Sequence, residues 1–323
     1  MKAPIVVTGA AGFIGRNVVA ALNAGGATDL VLVDRLGTDE KWRNLRGLEF
    51  EDLISPEALL AMAESGRAPA ASAVIHLGAC SSTTERDAGF LLENNYRYTR
   101  NLCTWALGRG ARFVYASSAA TYGDGSLGYS DAEGRLPGLR PLNMYGYSKH
   151  LFDLWARRRG LFDRMVGLKY FNVYGPHEEH KGDMRSLIHK AYGQILERGW
   201  IELFRSDRPE YADGEQKRDF ICVRDAVDVT LHFAAQSDAG GLFNCGTGQA
   251  RTWLDAALAL FAAMKRAPDI RFIDMPPALC GKYQYYTQAD TARLRAAGYT
   301  RPFTPLEEGV RDYVRDYLLT PGD

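Results

Sequence analysis

The chain has 323 residues, 46% of them hydrophobic, so it can bury a substantial core, and its length predicts about two domains. Its 39 basic and 39 acidic side chains give a formal net charge of zero, which argues against a nucleic-acid or membrane surface. Five scattered cysteines without CxxC spacing, and an N-terminus that runs directly into a strand-like segment, predict a cytoplasmic location. His177 and His180 lack a supporting thiolate or carboxylate pattern, so we expect no metal site.

Short β-branched segments alternate with helix-length segments through the first half of the chain. The strand-like segments are 5–7, 30–34, 73–77, 112–116 and 166–171. This alternation predicts an α/β fold, a doubly wound, Rossmann-like parallel sheet, with a second, smaller substrate domain. The sequence becomes polar after Gly175, and strand patterns appear again near 218–223 and 241–246. The chain is therefore predicted to leave the first domain and re-enter it, which makes both domains discontinuous. We expect 1–172 plus 217–246 to bind a dinucleotide and 173–216 plus 247–323 to bind substrate.

A glycine-rich turn, TGAAGFIG, joins the first strand to the first helix. Gly9, Gly12 and Gly15 would let the backbone turn tightly and approach a pyrophosphate at the helix N-terminus, with Phe13 and Ile14 beside it. The spacing is GxxGxxG, a variant of the dinucleotide-binding pattern, and its place between strand and helix is what supports the prediction.

The end of the second strand predicts which nicotinamide dinucleotide binds. Asp34 is placed to accept hydrogen bonds from the adenosine ribose, which favours NAD. Arg35 and Lys41 supply positive charge for a 2′-phosphate, which favours NADP. We expect NADP, with NAD as the alternative. The loop after the 73–77 strand and one residue of the next helix are predicted to contact the same cofactor: Leu77, Gly78, Ala79, Cys80, Ser81 and Asn94.

The segment Tyr145-Gly146-Tyr147-Ser148-Lys149 predicts the reacting groups. On a helix, Lys149 lies on the same face as Tyr145, so its charge would favour the tyrosinate and make the phenol usable as a base. Ser118, in the serine pair after the 112–116 strand, would hold the substrate hydroxyl. The order of glycine turn, serine pair, tyrosine and lysine predicts hydride-transfer chemistry.

These motifs resemble the extended short-chain dehydrogenase/reductases over nearly the whole chain, and more narrowly the ADP-L-glycero-D-manno-heptose 6-epimerase family. The stretches that carry the resemblance are TGAAGFIG, GACSSTTE at 78–85, YASSAATYG at 115–123, NMYGYSK at 143–149, KYFNVYGPHEEHKG at 169–182, QKRDF at 216–220 and YTQAD at 286–290. GACSSTTE and the HKG after YGP are its narrower marks.

The resemblance implies an isomerase that holds NADP and inverts C6 of ADP-D-glycero-D-manno-heptose through a 6-keto intermediate, in lipopolysaccharide inner-core precursor synthesis. It implies that Tyr145, Lys149 and Ser118 form the reductase triad and that Lys181 is a second acid/base. An epimerase needs two such groups because the proton and hydride must be returned to the opposite face. The alternative for Lys181 is an ordinary loop lysine. A homo-oligomer, with a pentamer as the candidate assembly, is also implied.

The resemblance further implies cofactor contacts at Val173 and Lys181 and a set of substrate contacts. The implied substrate residues are Ser81, Ser118, Asn172, Asp183, Lys190, Phe204, Arg218 and Tyr283. Arg218 suits a diphosphate because its planar fork binds two oxygens, although a salt bridge to Asp219 is the alternative. Asp183 stands where a serine is expected, and Lys190 where histidine is also found.

Other functions on the same scaffold stay open. Ser118 is followed by Ala119 and Ala120 rather than an acid pair, which disfavours a dehydratase. A UDP-hexose 4-epimerase would not depend on Lys181, and a simple reductase would consume added NADPH. A nucleotide-sensing binding module would bind the cofactor without turnover.

Overall fold

The computed structural model describes residues 3–38, 40–236, 238–276 and 283–320. The strands in this part of the chain are β1 Ile5–Thr8, β2 Leu30–Val33, β3 Asp52–Ile54, β4 Ala73–His76, β5 Arg112–Ser118, β6 Met165–Tyr170, β7 Asn172–Tyr174, β8 Ile201–Phe204, β9 Lys217–Cys222, β10 Gly241–Cys245, β11 Ala250–Thr252 and β12 Ile270–Ile273. The α-helices are α1 Phe13–Ala24, α2 Pro56–Glu64, α3 Ala88–Leu91, α4 Tyr98–Gly108, α5 Met144–Arg158, α6 Leu187–Arg198, α7 Val223–Ala235, α8 Trp253–Ala263, α9 Ala292–Ala296 and α10 Leu306–Tyr313. Short 3₁₀-helical segments lie at Glu40–Leu45, Ala119–Tyr122, Glu133–Gly138 and Glu179–Met184, and π-helical turns at Leu92–Arg97 and Val314–Leu318.

Seven strands form the central sheet in the order β10-β6-β5-β4-β1-β2-β3, and every pairing is parallel. The order of β1 to β6 is that of a doubly wound dinucleotide-binding fold, in which the chain reverses direction between β1 and β4. The predicted fold class is therefore confirmed. Parallel strands need crossover helices, and these bring the loops after each strand to one edge of the sheet.

Alternate residues of β1 show how the helices cover both faces of the sheet. Val6 packs into a cluster with α2, α4 and α5, whereas Val7 packs against α1 and α7. Both valines are fully buried, and the residues of β2 and β4 beside them are buried as well. Burial on both faces explains why these strands are continuous apolar runs in the sequence.

A second hydrophobic cluster lies among α6, β8, α8 and α10, in the C-terminal half of the chain. The two smaller sheets have the orders β11-β9-β7 and β12-β8. Strand β9 pairs with β7 and β11 rather than with the central sheet, although α7, which follows it, packs on α1. The proposed division at 172/173, 216/217 and 246/247 stays a prediction.

None of the helices in the described part of the chain is long and apolar enough to cross a membrane.

A buried ion pair joins α5 to the centre of the sheet. Lys169 Nζ lies 2.9 Å from Asp153 Oδ2, and both side chains are completely buried. Asp153 also accepts hydrogen bonds from Tyr115 at 2.7 Å and from Ser117 at 2.8 Å, and Lys169 donates to Thr121 at 2.5 Å. The charges are therefore compensated by each other and by neutral hydroxyls, close to the end of β5 that carries Ser118.

Replacing Asp153 with leucine is expected to lower the free energy of unfolding by about 3–5 kcal/mol, because it leaves the Lys169 ammonium buried without a counter-charge. Urea denaturation monitored by circular dichroism would measure it. The double variant Asp153→Leu/Lys169→Met should regain much of the loss, since it removes both charges. A loss below about 1 kcal/mol in the single variant would show that the pair is not required for stability.

Candidate active site

The glycine turn and the loop after β4 approach each other so closely that side chains are excluded. Gly9 has φ of +68°, and a Cβ there would lie 2.6 Å from the Gly78 amide nitrogen. A Cβ on Gly15 would lie 2.0 Å from the Gly9 carbonyl oxygen, and one on Gly12 would lie 3.0 Å from it. The packing therefore requires glycine at these positions, with Gly9 and Gly78 in the wall of a cleft, and amides at a helix N-terminus suit a pyrophosphate. The cradle fits the dinucleotide that the sequence predicts.

Asp34 directly follows β2, and both oxygens of its carboxylate accept hydrogen bonds. Its carboxylate accepts from the Ala11 amide at 2.8 Å, from the Arg35 amide at 2.8 Å and from Lys41 Nζ at 2.6 Å. The first bond ties β2 to the glycine turn. The Asp34 carboxylate is thus oriented toward the place where the adenosine ribose is expected.

Arg35 closes the same cleft from the other side. Its guanidinium makes a close ion pair with Glu57 and donates to Asn94 Oδ1 at 2.8 Å. Both partners of the ion pair are more than half exposed, so the pair contributes little stability and can rearrange for a ligand. The cleft is lined by Thr8, Gly9, Val33, Asp34, Arg35, Lys41, Pro56, Gly78, Ala79, Cys80, Phe90, Asn94 and Tyr98.

Three of the predicted cofactor-contacting side chains come together from different elements. Ile14 of α1, Leu77 after β4 and Val173 of β7 are half-buried and pack against the same two hydrophobic clusters. They form an apolar floor at the carboxyl edge of the sheet, where ligands of doubly wound folds bind. Ser81 is exposed and lies outside the residues that line the adenosine cleft.

Helix α5 begins where it can present Tyr145 to Ser118. Asn143 caps the helix by accepting from the Gly146 amide at 2.8 Å. A Cβ on Gly146 would lie 2.7 Å from the Ala120 carbonyl oxygen, so glycine lets α5 approach the loop after β5. Ser118 is almost buried, and its side chain is within hydrogen-bonding reach of the Tyr145 hydroxyl. The predicted pair is therefore assembled by a close helix-to-loop contact.

Burial dominates the electrostatics of the tyrosine and the lysine. It raises the pKa of Tyr145, while the hydrogen bond with Ser118 acts in the opposite direction and Cys80 raises the value further. Burial also lowers the pKa of Lys149 to about 8, although Asp153 and Cys80 favour its charged form. Lys149 Nζ donates to the Ala116 carbonyl at 2.8 Å. An ammonium of lowered pKa can exchange a proton near neutral pH.

The lowered pKa of Lys149 predicts a specific pH dependence of stability. The unfolded chain keeps this lysine protonated up to about pH 10.5, whereas the folded protein loses the proton near pH 8. The unfolded state binds more protons between these values, so the stability of the protein relative to Lys149→Met should rise with pH by as much as about 3 kcal/mol. Denaturation of both proteins across this range would test it. A constant difference would contradict the prediction.

Asn95 is a structural centre of the site that the sequence analysis did not identify. It is fully buried in the π-helical turn and bonds the Cys80 amide and carbonyl, each at 2.9 Å. Its Nδ2 also donates to Ser148 Oγ at 3.0 Å, and Ser148 donates to the Tyr145 carbonyl at 2.7 Å. Asn95 thus connects the cofactor loop to the tyrosine. Its signal in the sequence is its position at the start of the buried stripe that continues through Thr99 and Leu102.

A larger cleft opens beyond β7, toward α6. It has a volume of about 550 Å³ and is lined by residues that include Asn172, Val173, Lys181, Lys190, Phe204 and Tyr283. In the sheet register Ser118 pairs with Tyr170, two residues before Asn172, which places the serine near the cleft although it is not a lining residue. Asp183 is exposed and is not among the residues that line it. The structure thus gathers four of the predicted substrate residues in the wall of this cleft: Asn172, Lys190, Phe204 and Tyr283.

Lys181 approaches the cleft from the turn after β7. Its Nζ lies 5.0 Å from the centre of the Phe13 ring at the start of α1. Burial lowers its pKa, Glu178 acts in the opposite direction and Lys190 lowers it further. The charged and neutral forms of Lys181 are thereby brought closer in free energy, as a group that must both take and give a proton requires.

Arg218 lies between two aromatic rings rather than in an ion pair. Its guanidinium carbon is 4.9 Å from the Tyr283 ring centre and 5.2 Å from that of Trp253. Asp219 is occupied elsewhere, because it accepts from Thr247 and from backbone amides at 247, 248 and 289. The alternative of an Arg218–Asp219 salt bridge is therefore not what the structure contains. Aromatic stacking holds the guanidinium plane for an anionic ligand.

Among the described residues, no three His, Cys, Asp or Glu side chains lie together in a way that could hold a metal ion. His177 instead contacts Tyr317, with 3.2 Å between Nδ1 and the hydroxyl, and His180 is hydrogen-bonded to Asn44 at 3.1 Å. Both histidines therefore have structural partners.

The fold, the glycine cradle and the serine, tyrosine and lysine together define a dinucleotide-binding enzyme class. Residues 5–246 match the model of the NAD dependent epimerase/dehydratase family, and the chain belongs to this family. A protein of Nitratidesulfovibrio vulgaris strain DP4, named ADP-L-glycero-D-manno-heptose-6-epimerase, is 55% identical over 97% of both chains. One of the same name from Fusobacterium nucleatum is 44% identical over 97% of this chain and 98% of its own. The crystal structure of the Helicobacter pylori protein of that name matches with a TM-score of 0.82 and 25% identity, covering 99% of this chain and 97% of that one.

Proposed function

We propose that the protein inverts C6 of ADP-D-glycero-D-manno-heptose to give ADP-L-glycero-D-manno-heptose through a transient 6-keto sugar. It is an isomerase of the epimerase family, and relatives that match over nearly the whole chain bear the name of this activity. The reaction belongs to the synthesis of lipopolysaccharide inner-core precursors, as the resemblance implies.

The observation that carries the proposal is that a second titratable group, the Lys181 amine, lies in the wall of the cleft near Ser118 and Tyr145. Ser118 and Tyr145 meet where β5 ends, and Lys181 lines the cleft near them. An alcohol oxidised on one face and reduced on the other needs a proton acceptor and donor for each face. The Tyr145 hydroxyl on α5 and the Lys181 amine in the turn after β7 lie on different elements, so each can serve one face of the reacting carbon.

In the mechanism that follows, Ser118 holds the C6 hydroxyl and either Tyr145 or Lys181 removes its proton. Bound nicotinamide supplies the acceptor, and later the donor, of the hydride. We expect the positive charge of Lys149, one helical turn from Tyr145, to act against the burial that raises the pKa of the tyrosine. After the 6-keto sugar turns in the cleft, the partner of the first base returns the proton to oxygen.

The cofactor is a nicotinamide dinucleotide, and we propose NADP. Arg35 and Lys41 stand beside Asp34 in the adenosine cleft, and these two cations can face a 2′-phosphate while Asp34 keeps its bond to Ala11. The further contacts are the glycine turn, Phe13, Ile14, the loop 77–81, Asn94, Lys149, Val173 and Lys181. Denaturing the purified protein and identifying the released dinucleotide by mass spectrometry tests the choice, because NAD in place of NADP would refute it.

For the substrate we propose that Arg218 and Tyr283 hold the ADP part. Arg218 can bind two diphosphate oxygens, and its stacking on Tyr283 limits its rotation. The remaining contacts are Ser81, Asn172, Asp183, Lys190 and Phe204. Lys190 Nζ is within 3.4 Å of the Asp183 carbonyl, which brings these two positions together at the rim.

The decisive experiment uses the purified protein without added cofactor. It is incubated with ADP-D-glycero-D-manno-heptose, and the two epimers are separated by chromatography. We expect the L-glycero epimer to form with no net consumption of reducing equivalents. No product, even after NADP and NAD are supplied, would refute the proposal and make UDP-hexoses the next substrates to test.

We also propose that the protein acts in the cytoplasm as a homo-oligomer, with a pentamer as the candidate assembly. The five scattered cysteines without CxxC spacing are compatible with a reducing compartment. Light scattering of the purified protein would give the assembly mass directly. A monomer at micromolar concentration would refute the oligomer.

A further inference from the structure

A buried carboxylate lies in the turn that carries Lys181. Glu178 is completely buried, three residues before the lysine. None of the ion pairs among the described residues includes it, and its partners are neutral donors. Burying an ionised carboxylate is costly unless hydrogen bonds replace the lost water, so a group of this kind needs an explanation.

The hydrogen bonds of Glu178 join the two ends of the turn. Its Oε1 accepts from the Gly175 amide at 3.4 Å and from Ser186 Oγ at 2.7 Å, and its Oε2 accepts closely from the Ser186 amide. Ser186 is also the N-cap of α6, because its Oγ accepts from the His189 amide at 3.2 Å. One side chain therefore sets the path of the turn and the start of the helix that lines the cleft.

A third element fixes the carboxylate from behind. Tyr313 of α10 lies with its hydroxyl 3.3 Å from Glu178 Oε1 and 2.9 Å from His189 Nδ1. Burial raises the pKa of Tyr313 far above its usual value and lowers the pKa of His189, so both are neutral near pH 7. The negative charge of Glu178 is thus not cancelled by the groups that face it from α6 and α10.

The charged groups that act on Lys181 are few. Glu178, in its own turn, favours the ammonium, and Lys190 of α6 disfavours it. Phe13 of α1 presents only its ring. The Lys181 amide also donates to the Glu178 carbonyl at 3.1 Å, so the two residues are joined through one backbone turn.

We propose that Glu178 is a positioning residue for Lys181: it holds the turn so that the amine enters the cleft, and its charge sets how much of the amine is protonated. The inference rests on the proposed function for the consequence in turnover. Its effect on the amine itself is independent of the substrate.

The test compares the protein with Glu178→Gln and with Glu179→Gln, a matched change at the exposed neighbour. Acylation of Lys181 by an acid anhydride is followed against pH by peptide mass spectrometry. Loss of the negative charge should move the midpoint of Lys181 about one pH unit lower in Glu178→Gln and leave it unchanged in Glu179→Gln. An unchanged midpoint in a folded Glu178→Gln protein overturns the proposal.

The variant Glu178→Asp separates the effect of the carboxylate charge on Lys181 from the effect of its position. It also replaces Glu178→Gln as the test if that variant does not fold. It keeps the charge but shortens the reach to Ser186, so we expect the Lys181 midpoint to be retained and kcat to fall about tenfold with little change in KM. Unchanged kcat would overturn the positioning role. Failure of the unsubstituted protein to epimerise the heptose would refute the proposed function alone, because the acylation midpoints would still report on Glu178.

Discussion

Replacing Tyr145 with phenylalanine should lower kcat for epimerisation by about 10²–10⁴-fold, the usual effect of removing an acid/base in proton transfer. The ring is kept, and the hydroxyl lost is the one within reach of Ser118. KM should change little, because the ring still fills its place beside the serine. Steady-state kinetics with the ADP-heptose, together with the melting temperature, would measure both effects.

A matched change at Tyr147, two residues along and exposed, provides the control. Tyr147→Phe removes a hydroxyl from the opposite side of α5 and should leave kcat within about twofold of the original value. Retention of more than about a tenth of the activity in Tyr145→Phe would contradict its role as a base.

Replacing Lys181 with methionine should lower kcat by a similar factor of about 10²–10⁴, because one face of the 6-keto sugar loses its proton donor or acceptor. Methionine keeps much of the side-chain volume over the Phe13 ring, so the fold should be retained. A protein that lacks one of two bases should still carry out oxidation or reduction on the other face. Reduced nicotinamide, detected by its absorbance, is therefore expected to accumulate when the substrate is added.

Lys190→Met distinguishes the loss of a reacting amine from a general loss of charge in the cleft. Lys190 is exposed on α6 at the rim of the same cleft. Its replacement should raise KM more than it lowers kcat, since a binding contact is lost while the reacting amine of Lys181, whose pKa Lys190 only modulates, is kept. A Lys181→Met protein that turns over normally would refute the second acid/base and reopen the UDP-hexose alternative.

Local patterns were sufficient to predict most of the central sheet. The segments 5–7, 30–34, 73–77, 112–116 and 166–171 are β-strands there because each is buried on both faces, which leaves a continuous apolar run in the sequence. Strand β3, Asp52–Ile54, was missed because it is short, lies at the edge of the sheet and is partly exposed. Strand β9 has a strand pattern, but the pattern alone does not reveal that it pairs with β7 and β11.

By itself the sequence determined the type of fold, the glycine turn and the residues proposed to react, because these depend on spacing along one strand or one helix turn. Only the tertiary structure decided which groups surround them. Asn95 joins Cys80 to Ser148, Glu178 joins both ends of the Lys181 turn to α10, and Arg218 stacks on aromatic rings. These contacts join segments up to 135 residues apart. Their strength depends on burial, which removes competing water and which no local pattern specifies.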